Sequence, residues 1–118
     1  MRIVAVTACP TGVALTYMAA TRLANAARAV GHIIKIETQG ALGIETVLTQ
    51  KDVAKAEVAI LAADIDVRGA ERFANCLVLR VSTAEAIEAP EAVFARAAAL
   101  IAAPDGSPTP PATLGNVK

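Results

Sequence analysis

Three features of this sequence predict an α/β fold built on a four-stranded parallel sheet. Four short aliphatic runs recur along the chain: Arg2 to Ala8, Ile33 to Glu37, Val58 to Ala63 and Leu77 to Val81. Segments with helical spacing lie between them, which is the alternation expected of crossover units. The first and third runs are almost wholly apolar, as strands buried on both faces are. Right-handed crossovers then give strand order 2-1-3-4, with helices on both faces in a flavodoxin-like or Rossmann-like three-layer arrangement.

The elements follow in order. After the first strand comes a turn, Cys9 to Gly12, and then a helix over Val13 to Val30. Thr16, Ala19, Ala20, Leu23, Ala27 and Val30 fall at three- and four-residue intervals and make its apolar stripe. Gly31 is placed to end it. Thr38 to Gly43 reads as a loop. Thr49, with Asp52 three residues later, has the pattern of a capping box for a short helix through Lys55. Asp64 to Gly69 reads as loop, with one helical turn over Ala70 to Ala74. Ser82 or Thr83 caps a short helix through Ile87, and Pro90 opens a last helix continuing to Ala102. Residues 1–103 form the expected domain, and 104–118, which hold four of the six prolines, read as a flexible tail or linker.

At 118 residues the chain suits one domain with one core. Hydrophobic residues make up 55% of it but aromatics only 3%, so thin alanine-rich helices close against a sheet are favoured over an aromatic-lined pocket. Lys plus Arg equals Asp plus Glu at 11 each, which points away from nucleic acid or an anionic membrane as partner. No apolar stretch reaches the ~18 residues of a membrane span, so direct membrane insertion is not expected. The chain opens on a strand-like run without a signal-peptide pattern, and two cysteines are too few for a disulfide scaffold. The expected compartment is the reducing cytoplasm, with Cys9 a free thiol.

The informative stretch is Ala8-Cys9-Pro10-Thr11-Gly12-Val13-Ala14-Leu15-Thr16. It puts a cysteine where the first strand ends and a helix begins. Free N–H groups and the positive end of the helix dipole favour an anion there and ease ionisation of a thiol. The strand order places this turn at the switch point of the sheet, where α/β proteins bind ligands. Gln39, Gly40 and Asp64 fall in post-strand segments at the same edge and are expected to face a partner. His32, the only histidine, precedes the second strand and belongs at the far edge, on the order of 17 Å away. It is therefore a poor general base or relay. No cluster of His, Cys and carboxylates has metal-ligand spacing, and the turn lacks the Gly-Lys end of a nucleotide P-loop, so neither metal nor cofactor is expected.

The blocks ACPTGVALTYMAA at Ala8 to Ala20, IETQGALGI at Ile36 to Ile44, AILAADID at Ala59 to Asp66, and Glu71-Arg72-Phe73 resemble fructose-type enzyme IIB domains of the phosphoenolpyruvate-dependent sugar phosphotransferase system. The resemblance covers about residues 1 to 102. It implies that Cys9 accepts a phosphoryl group from phosphohistidine on a IIA protein or domain. Cys9 then passes it to a fructose-class sugar held by a membrane IIC component. Pro10, Thr11, Gly12, Val13, Ala14, Leu15 and Thr16 would cradle the phosphate. The chain would be cytoplasmic, peripheral at the inner membrane face through IIC.

Two positions depart from the family pattern. Leu15 stands where His is usual, and Thr21 where Glu is usual. Leucine has no hydrogen bond to give, which motivates the alternative of a regulatory or impaired IIB-like docking module. A further alternative is a phosphatase of the low-molecular-weight type, but its phosphate-clamping arginine would fall at position 15, which is Leu15. Plainer readings stand beside the others. Cys76 is a small core residue, and Thr11 and Thr16 also suit helix capping. Gln39 and Gly40 suit a turn as well as a partner. Asp64 and Asp66 open a solvated loop, and Arg68 and Arg72 suit either solvent or an acidic partner.

Overall fold

The computed structural model describes residues 1–102. The predicted boundary at 103 and the tail over 104–118 lie outside the described residues. Five strands form one sheet: β1 (Arg2–Ala8), β2 (Ile33–Gly40), β3 (Gly43–Glu45), β4 (Val58–Ala63) and β5 (Val78–Val81), in the order β3-β2-β1-β4-β5. The four parallel strands stand in the predicted relative order. The fifth is a correction. Thr38 to Gly43 is not a loop: β2 runs on to Gly40 and turns into the short antiparallel β3, with Gln39 opposite Ile44. Its residues are exposed, so it lacked the alternating burial that marks a strand in sequence.

The helices are α1 (Ala14–Ala29), α2 (Gln50–Lys55), α3 (Thr83–Glu88) and α4 (Pro90–Ile101), with a 3-10 turn over Ala70–Phe73. Two capping boxes hold the short ones, Thr49 with Asp52 at α2 and Ser82 with Glu85 at α3. Each satisfies two otherwise orphaned backbone donors.

β1 is the middle strand, paired with β2 on one side and β4 on the other, and its alternate residues feed two separate cores. Ile3 and Ala5 meet Ala19, Leu23 and Ala27 of α1 and Val93, Phe94 and Ala97 of α4. Val4 and Val6 meet Leu48, Val53 of α2 and Phe73. Alanine dominates the α1 face because a small side chain lets the helix lie close to the sheet. The register runs from Arg2 opposite Ile33 to Ala8 opposite Gln39. Cys9 and His32 are therefore at opposite edges, as the sequence predicts.

One buried polar network braces the edge that carries Cys9. Glu37 of β2 is 1% exposed. It receives a bidentate pair from Arg72, Nη1 to Oε1 at 2.8 Å and Nη2 to Oε2 at 3.0 Å. Gln39 Nε2 donates to Oε2 at 2.7 Å and the Leu48 N–H to Oε1 at 2.9 Å. Arg72 also donates to the carbonyls of Gly69, Leu48 and Arg68. The guanidinium thus ties β2 to the chain before α2 and to the segment after β4. Burial works against the ionised carboxyl, but Arg72, Gln39 and the Leu48 amide outweigh it and hold Glu37 below its usual 4.5.

Removing Arg72 would leave a buried carboxylate without its charge partner. Arg72→Ala is expected to cost roughly 3–5 kcal/mol, read as a lowered Tm. Because the folded-state pKa of Glu37 is depressed, the pair stabilises the fold above the unfolded value near 4.5, and this is lost as pH falls through the folded value. The acid limb of wild-type stability in urea titrations should accordingly be larger than that of Arg72→Ala.

Candidate functional site

Cys9 directly follows β1, at the junction between the sheet and α1. The Gly12 N–H donates to the Cys9 carbonyl at 3.0 Å, closing the turn. Gly12 has φ +68°, and a Cβ there would stand 2.7 Å from the Ala41 amide nitrogen, so the position admits glycine alone. Val13, the residue before α1, makes no side-chain cap bond. The cysteine sulfur lies beside that first turn. Thr16 Oγ1 donates to Sγ at 3.0 Å, and Thr11 Oγ1 lies 3.6 Å from it. The backbone amides of Val13 and Thr16 also favour the ionised sulfur.

The electrostatic result is a perturbed thiol. Burial, the largest single influence, raises the Cys9 pKa. Thr16, Thr11 and the two amides together outweigh it and lower the thiol from 9.0 to about 7. A sizeable thiolate fraction therefore exists near neutral pH. Cys76 goes the other way: burial alone pushes its thiol up, and it packs against the second core beside Val53. That is an inert packing cysteine.

Of the residues predicted around the sulfur, Thr11, Val13 and Thr16 supply its donors. Pro10 has no N–H and can only shape the turn. Gly12 is consumed by backbone bonds on both sides. Ala14 and Leu15 are exposed, Leu15 by 41%. Leu15 thus faces out, and the donor set is assembled without it. Cys9 itself is 1% exposed, although Pro10, Thr11 and Val13 to Leu15 around it all reach solvent. The sulfur lies one residue layer below the surface.

The residues expected to face a partner are placed differently from one another. Gln39 is 7% exposed, and its amide is spent internally, on Glu37 and on the backbone of Arg68 at both ends. Gly40 lies against Tyr17 and Gly12. Asp64 is exposed, but its carboxylate receives the Thr83 N–H at 3.0 Å and the Thr83 hydroxyl at 2.5 Å. It fixes α3 rather than standing free. Arg72 is internal, as described. The one signal in the sequence for a buried Glu37 is a carboxylate in an otherwise half-apolar strand with an arginine elsewhere to meet it. Tyr17, whose ring packs on Gly40, carries no comparable signal in the sequence. No group of His, Cys, Asp and Glu able to hold a metal occurs among the described residues.

A buried parallel strand ending in an acidified cysteine, with helix amides and hydroxyls pointed at its sulfur, defines a class of α/β domains that can carry an anionic group on a thiol. Comparison with known proteins narrows this. The family described as "PTS system, Lactose/Cellobiose specific IIB subunit" matches residues 4–96. The "PTS system fructose-like EIIB component 2" of Escherichia coli K12 is 46% identical over 101 residues, covering 86% of this chain and 95% of that protein. The fructose-specific EIIB'BC component of Vibrio cholerae is 49% identical over 82 residues, 70% of this chain but 14% of that longer protein. A crystal structure of a predicted fructose-specific IIB from Escherichia coli superposes with a TM-score of 0.83 at 42% identity, covering 89% of this chain and 93% of that one. The chain belongs to the IIB family of the sugar phosphotransferase system.

The pKa assignment is open to direct measurement. Alkylation of Cys9 by iodoacetamide, followed by peptide mass spectrometry across a pH series, should titrate with a midpoint of about 7. Thr16→Val removes a hydrogen bond to the thiolate worth roughly 1.5–3 kcal/mol, so its midpoint should rise by roughly one to two units.

Proposed function

We propose that this chain is a phosphocysteine carrier, with Cys9 taking a phosphoryl group from phosphohistidine on a IIA protein or domain and giving it to a fructose-class sugar bound by a membrane IIC component. The observation that carries this reading is the Thr16 hydroxyl at 3.0 Å from Sγ, in a donor set that brings the thiol to about 7. In the first step the thiolate attacks phosphorus in line and a P–S bond forms. The P–N bond breaks, and the imidazole leaves with its electron pair. In the second step a sugar hydroxyl attacks, the P–S bond breaks, and the thiolate is regenerated. The hydroxyl proton passes to a base outside this chain. The Val13 and Thr16 amides and the Thr11 and Thr16 hydroxyls are the groups available to hold the phosphoryl oxygens. Positioning and charge stabilisation are what such a transfer asks of a protein.

The partners are supported by the names of the relatives and by the surface. The Vibrio cholerae relative is by its name a B'BC component, a IIB fused to IIC, and the "Fructose-like PTS system EIIBC component" of Escherichia coli is 41% identical over 96 residues. No helix among the described residues is long and apolar enough to cross a membrane; in this reading the membrane site for the sugar belongs to the IIC partner, and the chain meets it at the cytoplasmic face. Around Cys9, Val13, Leu15, Met18, Leu42, Ile44 and Ile65 are exposed apolar side chains in the segments that follow β1, β2 and β4. Parallel strands deliver those segments to one edge, giving an apolar rim suited to a protein partner.

Leu15 as an exposed rim residue fits this reading better than an impaired module, since no donor to the sulfur is missing on its account. The phosphatase alternative has no support, because no arginine stands at position 15.

Incubation with phosphoenolpyruvate, the general components and a fructose-type IIA should add one phosphate to Cys9, detected by mass spectrometry and lost in Cys9→Ser. A chain that stays unmodified while a known IIB in the same mixture is phosphorylated would sink the proposal.

A further inference from the structure

Cys9 is 1% exposed, so the transfer proposed above, on which this inference rests, needs the turn over it to lift. What holds the turn down comes from the β2–β3 hairpin. The Ala41 N–H donates to the Gly12 carbonyl at 2.6 Å. A Cβ placed on Gly40 would lie 2.5 Å from Tyr17 Oη and 2.7 Å from the Gly12 carbonyl oxygen. Hydroxyl and carbonyl thus share the small space beside Gly40. Tyr17 Oη is buried and has no hydrogen-bond partner among the described residues. An unpaired buried hydroxyl is destabilising, and phenylalanine would fill the same space without that cost.

We propose that Tyr17 is a positioning residue of the Cys9 turn, its hydroxyl held ready for the Gly12 carbonyl when that carbonyl leaves the Ala41 N–H. Gly12 is buried, so a peptide that simply broke away from Ala41 would strand its oxygen. Exchanging one donor for another keeps a hydrogen bond in both states and makes opening cheap. Gly40 is glycine because a side chain there would fill the space in which the exchange happens.

Iodoacetamide alkylation of Cys9 tests this without any phosphoryl donor, Cys76 being followed separately by peptide mass spectrometry. The rate at the high-pH plateau reports opening of the turn, and the midpoint reports the donors around the closed thiol. Tyr17→Phe should lower the plateau roughly three- to tenfold, the worth of one net hydrogen bond. Its midpoint should stay at about 7, with Tm unchanged or raised. Gly40→Ala should act oppositely, pressing on the Gly12 carbonyl, raising the plateau and moving the midpoint up toward 9. A Tyr17→Phe plateau equal to or above wild type overturns the proposal. So does a fall accompanied by a lower Tm and a shifted midpoint, which would mark a purely structural tyrosine. Absence of phosphorylation at Cys9 with these alkylation results intact would instead sink the carrier reading alone.

Discussion

The cysteine sulfur sits at the start of α1 and accepts from the Thr16 hydroxyl of its first turn, and the rest of the site follows from that contact. A helix start leaves several N–H groups without partners, and a Ser, Thr, Asp or Asn side chain usually answers one of them. Here the Val13 side chain answers none; the Thr16 hydroxyl donates to Sγ of Cys9, and the amides of Val13 and Thr16 favour its ionised form. The helix needs an acceptor and the thiolate needs donors, so each stabilises the other. To bring them together the strand must end at residue 8 and the helix begin at residue 14. The five residues between must reverse direction through a left-handed glycine at 12.

The same arrangement suits the carrier chemistry proposed for this chain. A carrier thiol has to attack and later to leave, and the two demands pull in opposite directions. A thiol of ordinary pKa is mostly protonated near neutral pH, while one acidified much further is a weaker nucleophile. About 7 lies between. Burial by itself would have pushed the thiol the wrong way, so the hydroxyls of Thr11 and Thr16 are needed alongside the helix amides.

Much of this was legible in the sequence because it is local. Strand runs, the α1 stripe from Thr16 to Ala27 (Val30, beyond it, is exposed), the Thr49–Asp52 box, a cap at Ser82 or Thr83 and the Cys9 turn are each written within a few residues, and the order of the parallel strands followed from crossover handedness. What was not legible is what distance in sequence conceals. Glu37 and Arg72 are 35 residues apart, and nothing local distinguishes a buried ion pair from two solvated charges. Gln39 looked available to a partner for the same reason, since its bonds go to the backbone of Arg68, 29 residues on. The short strand Gly43–Glu45 has three exposed residues, so it carries no burial pattern to read. Its existence is fixed by the register of the hairpin, not by its own composition.

These long-range contacts divide the site into a fixed part and a movable one. The stem of β2 is anchored by Glu37 and Gln39, whose side chains are buried and bonded to Arg72 and to the segment after β4. Asp64 pins the start of α3 through Thr83. The turn over Cys9 has no comparable side-chain anchor: its ties to the hairpin are the Ala41–Gly12 backbone bond and the packing at Gly40. A group entering from solvent therefore meets the least resistance at the turn. Motion there leaves α1 and Thr16 in place, because Thr16 is fully buried beside Ala19 and Leu23 in the helix face that packs on the sheet. The sulfur can thus be uncovered without losing the Thr16 hydroxyl, the larger of the two hydroxyl influences that acidify it, and the proposed carrier, which would open twice in each cycle, needs that donor to survive the opening.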